Sequence, residues 1–286
     1  MSSRAPISVL IPAKNEAANL AACITSVAFC SEIVVIDSDS TDATRSIAEQ
    51  AGARVVNFQW NGEFPKKKNW ALANVTWKND WVFIIDADER ATPELAGAMT
   101  AIALAPAPAV TGYYVNRRFW FLDGWLNHCG YFPSWNLRFF RHRLARYEQP
   151  GTAAATGSGD NEVHEHVVLE GQAGYLPGEM EHYAFPNIAT WVEKHNRYSN
   201  WEARVQAGEA GQALGSEPIE AGLARKRMLR RLAWRLPFRP TLRFLYHYVW
   251  RAGFLDGYRG WVFCRLMGYY EFLSAAKARE LRLKKK

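Results

Sequence analysis

The chain has 286 residues, 49% hydrophobic and 22% charged, a balance that supplies ample core and rules out a disordered chain. Its four cysteines, Cys23, Cys30, Cys129 and Cys264, form neither a Cys-x-x-Cys pair nor a zinc-type cluster and read as reduced, cytosolic thiols. The net charge of +7 is unevenly divided: from residue 225 onward 17 Lys and Arg face 3 acids (net +14), whereas the first 224 residues carry 18 basic and 25 acidic side chains (net −7). A basic, aromatic tail on an acidic body points to an anionic partner surface, membrane or nucleic acid. The 12 tryptophans suit carbohydrate stacking or a membrane interface as well as a core.

In chain order, residues 7–11 (ISVLI) read as a buried strand that ends at Pro12. The run is too short for a signal peptide, and no stretch of about 18 apolar residues predicts a spanning helix. A helix is predicted over 16–28 with Asn15 as cap, a strand over 32–37, and a helix capped by Ser40 or Thr41 through about residue 51. A third strand is predicted at 54–58, a helix at 66–76, and a buried strand at 80–85 (DWVFII) that runs into Asp86. Thr92-Pro93-Glu94 has the form of a helix start.

This β-α-β-α-β-α-β order predicts an α/β fold with a doubly wound, mostly parallel sheet. Ligands of such sheets bind beyond the carboxyl ends of the strands. Asn15, Asp37, Asp39, Asp86 and Asp88 all follow strand ends, so they are expected on one rim. Beyond them, 150–161 reads as a loop, 162–170 (EVHEHVVLE) as a strand and 186–207 as a helix. Residues 208–222 read as a hinge, and the tail as basic-aromatic helices broken by Pro237 and Pro240. The domain division is expected at 1–222 and 223–286.

Two carboxylates one residue apart, in Asp86-Ala87-Asp88, are able to converge on Mg2+ or Mn2+ and so neutralise a diphosphate leaving group. Alone, the pattern fits a solvated acidic turn or helix cap better; its position after DWVFII favours the metal. In IDSDSTD (36–42), Asp37 or Asp39 is placed to meet a base or ribose, while Asp42 is a cap-type residue. IPAKNEAANL (11–20) offers backbone amides and Asn15 at a helix start, a setting suited to phosphate or base. Neither a GxGxxG nor a P-loop pattern is present.

Together, IPAKNE, VVIDSDSTD and IIDADE resemble the nucleotide-sugar domain of inverting family 2 glycosyltransferases, which have the GT-A fold. KKKNWAL (66–72), DADE (86–89), VHEHV (163–167), His182-Tyr183 and FLDGYRGW (254–261) resemble the branch of lipopolysaccharide-core transferases that add glucose. The resemblance implies that Pro12, Asn15 and Glu16 line the nucleotide pocket. It implies further that Asp37 or Asp39 meets uracil or ribose, and that Asp86 and Asp88 hold ribose, metal and diphosphate. Lys68, with Lys66 and Lys67, is placed either near the donor diphosphate or on a solvated face. The implied donor is a UDP-hexose such as UDP-glucose.

Inverting transfer needs a carboxylate within reach of the acceptor hydroxyl. The family's Glu-Asp pair has no counterpart in the expected window. Glu165 is the first choice of base, with Glu162 and Asp160 as alternatives, and His164, His166 and His182 are candidate metal or phosphate contacts. The interleaved arginines and aromatics of 223–286 predict a helical extension lying on the inner face of the cytoplasmic membrane. The expected acceptor is a lipopolysaccharide-core or other lipid-linked glycan; the enzymatic alternative is a polyprenyl-phosphate or exopolysaccharide transferase. A nucleic-acid-binding protein would leave the acidic rim unexplained, since it repels phosphates without a metal, so no nucleic-acid partner is expected. A nucleotidyltransferase would require a Gly-rich basic loop where IPAKNEAANL stands.

Overall fold

In the computed structural model, residues 4–105, 109–149, 160, 166–207 and 238–284 are described. The first strand, β1 (Ala5–Ala13), is buried almost throughout, because neighbours cover it on both sides and both faces. It pairs in parallel with β2 (Cys30–Asp37) on one side and β4 (Trp81–Ile84) on the other, and β3 (Arg54–Asn57) lies beyond β2. Alternation sends Ile7, Val9 and Ile11 into one core and Leu10 into another; Trp81 and Phe83 go with the first, Val82 and Ile84 with the second. Strands covered on both faces read as continuous apolar runs, as these do.

The connecting helices are α1 (Leu20–Ser26), α2 (Thr44–Gln50) and α3 (Lys67–Asn74). After β4 the chain forms a short β5 (Glu89–Ala91) and α4 (Pro93–Leu104), which Thr92 caps by accepting from Leu95 N. Then come β6 (Val110–Phe121), β7 (Gly124–Leu126), β8 (Trp135–Arg141), β9 (Ala145–Tyr147), β10 (Val167–Leu169) and β11 (Gln172–His182). The main sheet runs β3-β2-β1-β4-β8-β6-β11-β5, while β9 and β10 form a separate antiparallel pair. The half from β3 to β4 is parallel, and β8 enters antiparallel to both β4 and β6. This is the expected α/β architecture of GT-A type, with C-terminal helices.

The described residues divide into two compact units. One holds residues up to Phe119, Pro133–Gln149 and the segment ending at Ala184; the other holds Trp120–Phe132 and the residues from Phe185 onward. The expected boundary at 222/223 lies outside the described residues.

The second unit contains α5 (Ile188–Gln206), α6 (Arg239–Leu245) and α7 (Gly257–Leu283), joined by a π-helical turn at Tyr246–Trp250 and a 3-10 turn at Gly253–Asp256. Pro240 does not break a helix here; it sits in the first turn of α6, where its missing N–H costs nothing. Pro237 lies outside the described residues. Lys277 on α7 donates to Asn196 Oδ1 and Asn200 Oδ1, each at 2.6 Å, and to Ser199 Oγ at 2.8 Å, which ties α7 to α5. The buried Asp256 accepts from His128 N at 2.9 Å and pairs with His128 Nδ1 at 2.8 Å. Among the described residues no helix is long and apolar enough to cross a membrane.

Two histidines make this unit acid-sensitive. His195 stacks on Trp191 at 3.6 Å between ring centroids, and His247 approaches Cys129 O at 2.6 Å through Nδ1. Burial pushes both down from 6.5 to about 4. The unfolded chain therefore takes up protons between pH 6.5 and 4 that the folded unit refuses, so stability falls as pH falls through that window. The loss is on the order of 3 kcal/mol per histidine. Urea denaturation followed at pH 7 and pH 4.5 should show it, and His195→Gln should remove about half of the difference.

Candidate active site

The parallel register sets the rim. Ala13 lies opposite Asp37, Asp37 opposite Asn57, and Leu10 opposite Ile84, so the residues after β1, β2 and β4 emerge side by side. Pro12, buried and opposite Ile36, leads β1 into the rim.

Two loops interlock above β1 and β2. Asn15 has left-handed backbone (φ 56°), a region Asn enters more readily than most residues. Its Oδ1 accepts from Thr41 N at 2.8 Å and from the Thr41 hydroxyl at 3.3 Å, and its own N donates to Ser40 Oγ at 2.9 Å. Glu16 N donates to Thr44 Oγ1 at 2.7 Å, and Ala17 N to Asp42 Oδ2 at 3.1 Å. The buried Asp37 carboxylate accepts from both the amide and the hydroxyl of Ser40, whereas Asp39 is exposed at a left-handed position (φ 52°).

These bonds correct two helix starts. The helix expected from residue 16 begins at Leu20, because Asn15 is committed to Thr41 and caps nothing. The helix expected after Ser40 or Thr41 begins at Thr44, because Ser40 is held by Asp37 and Asn15 while Thr41 is held by Asn15.

The acidic turn after β4 is held by buried charge. Asp86 Oδ1 lies 3.1 Å from Lys68 Nζ and Oδ2 lies 2.8 Å from Arg138. The fully buried Glu89 meets Arg117 at 3.3 Å and Arg138 at 3.5 Å, and its other oxygen accepts from Asp86 N at 2.9 Å. Burial alone would raise the Asp86 carboxyl, but Arg138 and Lys68 outweigh it and hold the group well below the usual carboxylate range. Burial likewise opposes the Arg138 charge, and Asp86 with Glu89 reverses that, holding Arg138 well above its ordinary value.

The three lysines at 66–68 are all buried, which excludes a solvated face. Asn69 and Tyr147 exchange main-chain to side-chain bonds of 2.8 Å in both directions, which pins this first turn of α3 to β9. Lys67 Nζ donates to Ala13 O at 3.1 Å and pairs with Asp160 at 3.2 Å. Burial draws the Lys67 ammonium down and Asp160 partly restores it. Burial raises the Asp160 carboxyl, and Lys67 pulls it below the ordinary range. Glu162, His164 and Glu165 lie outside the described residues. His166 is exposed, and its N donates to Glu148 Oε1 at 3.1 Å.

Asp88 stands apart from the Lys68–Arg138 clamp. Its Oδ2 lies 3.4 Å from His182 Nε2, and its carbonyl accepts from Tyr183 N at 2.9 Å. Sheet register makes this meeting: β11 runs antiparallel to β5 with His182 opposite Glu89. Two ligand atoms each about 2.1 Å from one cation stand roughly 3–3.5 Å apart, so Asp88 and His182 fit a shared divalent ion. Their mixed oxygen and nitrogen donors suit Mn2+ better than Mg2+. Among the described residues no three His, Cys, Asp or Glu surround one ion, so any remaining coordination would fall to donor oxygens and water.

Sequence reasoning passed over Arg138, Arg117 and Glu89. The one available signal is an arginine in the middle of the apolar run LRFF, where a charge requires a partner.

Arg138→Met should cost about 3 kcal/mol, because it takes one of two cations from the buried Glu89 and from the partly exposed Asp86. Urea denaturation measures the loss. The stabilisation from the depressed Asp86 carboxyl is present above its unfolded value near 3.8 and is lost only as pH falls through the lower folded value. The deficit of Arg138→Met should therefore hold across pH 5–8.

A sequence model of glycosyl transferase family 2 matches residues 8–159. The lipopolysaccharide core biosynthesis glycosyltransferase LpsC of Rhizobium meliloti (strain 1021) is 30% identical over 295 residues, covering 97% of this chain and 93% of that one. An uncharacterized glycosyltransferase of Rickettsia felis is 29% identical over 286 residues, covering 98% and 92%. Among solved structures, the mannosyltransferase PcManGT from Pyrobaculum calidifontis, in complex with GDP-Man and Mn2+, is similar over 97% of this chain and 88% of that one, at 16% identity and a TM-score of 0.49. Glucosyl-3-phosphoglycerate synthase from Mycobacterium tuberculosis, in complex with Mn2+, UDP and glucosyl-3-phosphoglycerate, is similar over 71% and 79%, at 19% identity and a TM-score of 0.42.

Proposed function

The chain belongs to glycosyltransferase family 2, and from that premise we propose that it is a metal-dependent inverting hexosyltransferase acting on a lipopolysaccharide-core or other lipid-linked glycan. The observation that carries the reading is the division of labour in Asp86-Ala87-Asp88. Asp86 is neutralised at both oxygens by Lys68 and Arg138, while Asp88 faces His182. An acidic turn that merely solvated a loop would have no need of two buried cations.

On this reading the interlocked loops hold the nucleoside of the donor. Pro12 and the Asn15–Glu16 turn form one wall, and Asp39, exposed above the buried Asp37, takes the base or ribose. Asp88 and His182 would hold a divalent cation, which when bound would supply charge neutralisation of the diphosphate leaving group. Lys68 and Arg138 keep Asp86 ionised and fixed, and Asp86 is in turn placed for the ribose. Binding a dianionic diphosphate beside a bare carboxylate would be opposed by repulsion; beside a carboxylate already matched by two cations it is not. Lys68 thus acts on the donor through Asp86.

Glu165 is assigned as the base that takes the acceptor proton. Asp160 suits that role less well, since Lys67 lowers its basicity and holds it against the β1 loop. The donor is assigned as a UDP-hexose, UDP-glucose first. The acceptor class rests on the likeness to the Rhizobium core transferase. A lipid-linked acceptor agrees with residues 223–286 engaging the inner leaflet.

Nucleotide-sugar hydrolysis and transfer tested with Mn2+, Mg2+ or EDTA should show turnover with UDP-glucose that EDTA abolishes and Mn2+ restores best. Turnover that survives EDTA would falsify the metal assignment. Asp88→Ala and His182→Ala should each weaken Mn2+ binding by more than the roughly 10–100-fold typical of losing only an outer-shell partner, read by the paramagnetic resonance of free Mn2+. Glu165→Gln should abolish transfer while UDP binding persists. Undiminished transfer in that variant would remove Glu165 as the base.

A further inference from the structure

An amphipathic helix in a folded unit normally turns its apolar stripe inward. The segment from α6 into the π-helical turn does the reverse. Leu242, Leu245, Tyr246 and Val249, at helical spacing i, i+3, i+4 and i+7, are all exposed, and Val249 is 59% exposed. The buried residue of this segment is His247, bonded to Cys129 O. The polypeptide then bends at Ala252, whose backbone is left-handed (φ 53°), and presents a second apolar set. Trp250 is 81% exposed, Leu255 61% and Tyr258 75%, with Phe254 and Trp261 exposed beside them.

The charges around this corner are predominantly positive, although the exposed Asp123 pairs with Arg259 at 3.6 Å. Between residues 238 and 270 there are five arginines and a single acid, Asp256, and that acid is buried against His128. Arg251 and Arg265 are exposed, and Arg265 lies over the rings of Phe244 and Trp261 at 4.8 and 5.8 Å. Contiguous exposed apolar surface of this kind marks an interaction site. Aromatic rings interleaved with arginines that outnumber the acids beside them match an interface of acyl chains under anionic headgroups.

We propose that the corner at residues 242–261 is a membrane-docking wedge whose occupant is an anionic lipid surface. Trp250, Phe254 and Leu255 enter the headgroup–acyl boundary while Arg251 and Arg265 meet the headgroup phosphates. This deepens the assignment of the tail to the inner leaflet and rests on it; it is independent of the sugar-transfer chemistry. It assigns docking to one bend of the chain instead of to the tail's positive charge as a whole.

The test uses the full chain in flotation with phosphatidylcholine vesicles prepared with and without phosphatidylglycerol. Wild type should bind the anionic vesicles, and raised salt should weaken that binding. The triple variant Trp250→Ser/Phe254→Ser/Leu255→Ser should lose at least tenfold in partitioning. Arg251→Glu/Arg265→Glu should lose more, since each engaged arginine contributes roughly fivefold. Lys284→Glu, beyond the wedge, should change little. Donor hydrolysis in solution, measured on the same variants, should be unchanged and reports that they are folded.

Triple-variant binding equal to wild type, with loss in Lys284→Glu, would overturn the wedge and leave the broader tail reading standing. Absence of vesicle binding by wild type, with hydrolysis intact, would overturn both membrane readings and leave the transferase untouched. A wild-type dimer that the triple variant dissolves, with vesicle binding retained, would make the corner a self-interface and overturn the wedge.

Discussion

The ion cluster around Asp86 is the constraint on which the candidate site depends. A carboxylate at the end of a buried strand is unstable unless its charge is matched, and here Lys68 and Arg138 match it from different elements. Lys68 comes from the first turn of α3 and Arg138 from the middle of β8, so the cluster ties the helix before β4 to the strand beside it. Glu89 extends the tie to Arg117 on β6. The acidic turn is thereby fixed from three directions, with its main chain held by Glu89 accepting from Asp86 N.

That fixation separates the two aspartates chemically. Asp86 spends both oxygens on protein cations, while Asp88 stands two residues further on, beside a histidine brought in by the last strand of the sheet. One sequence motif thus supplies two environments. The same logic distinguishes Asp37 from Asp39: the first is buried and organises its own loop, and the second is exposed on a left-handed turn. Neighbouring carboxylates of one chemical type acquire different environments from the bonds already made around them.

How much of this was legible in the sequence follows from the range of each interaction. The parallel half of the sheet was legible because its strands are continuous apolar runs, and the rim followed from where those runs stop. The helix starts at Leu20 and Thr44 were not, because Asn15, Ser40 and Thr41 are cap-type residues whose side chains bond a loop some 25 residues away instead of their own helix. Arg138 was passed over because its partners lie about 50 residues upstream, and only a folded sheet brings them together. His182 carried a sequence signal, but its meeting with Asp88 depends on an antiparallel register between β5 and β11 that no local pattern encodes. For the lysines at 66–68 a place near the diphosphate and a solvated face were both open, because lysine seldom enters a core; here all three are buried, Lys67 against Asp160 and Lys68 against Asp86.

The latch between Asn15 and Thr41 bears on the thermodynamics of recognition. Surface loops ordinarily lose conformational freedom when a ligand arrives, and that loss subtracts from affinity. Here two loops have already surrendered it to one another, through bonds running in both directions across the rim. The entropy penalty is therefore charged to folding, and association of a ligand at this rim begins from a mould that is already set.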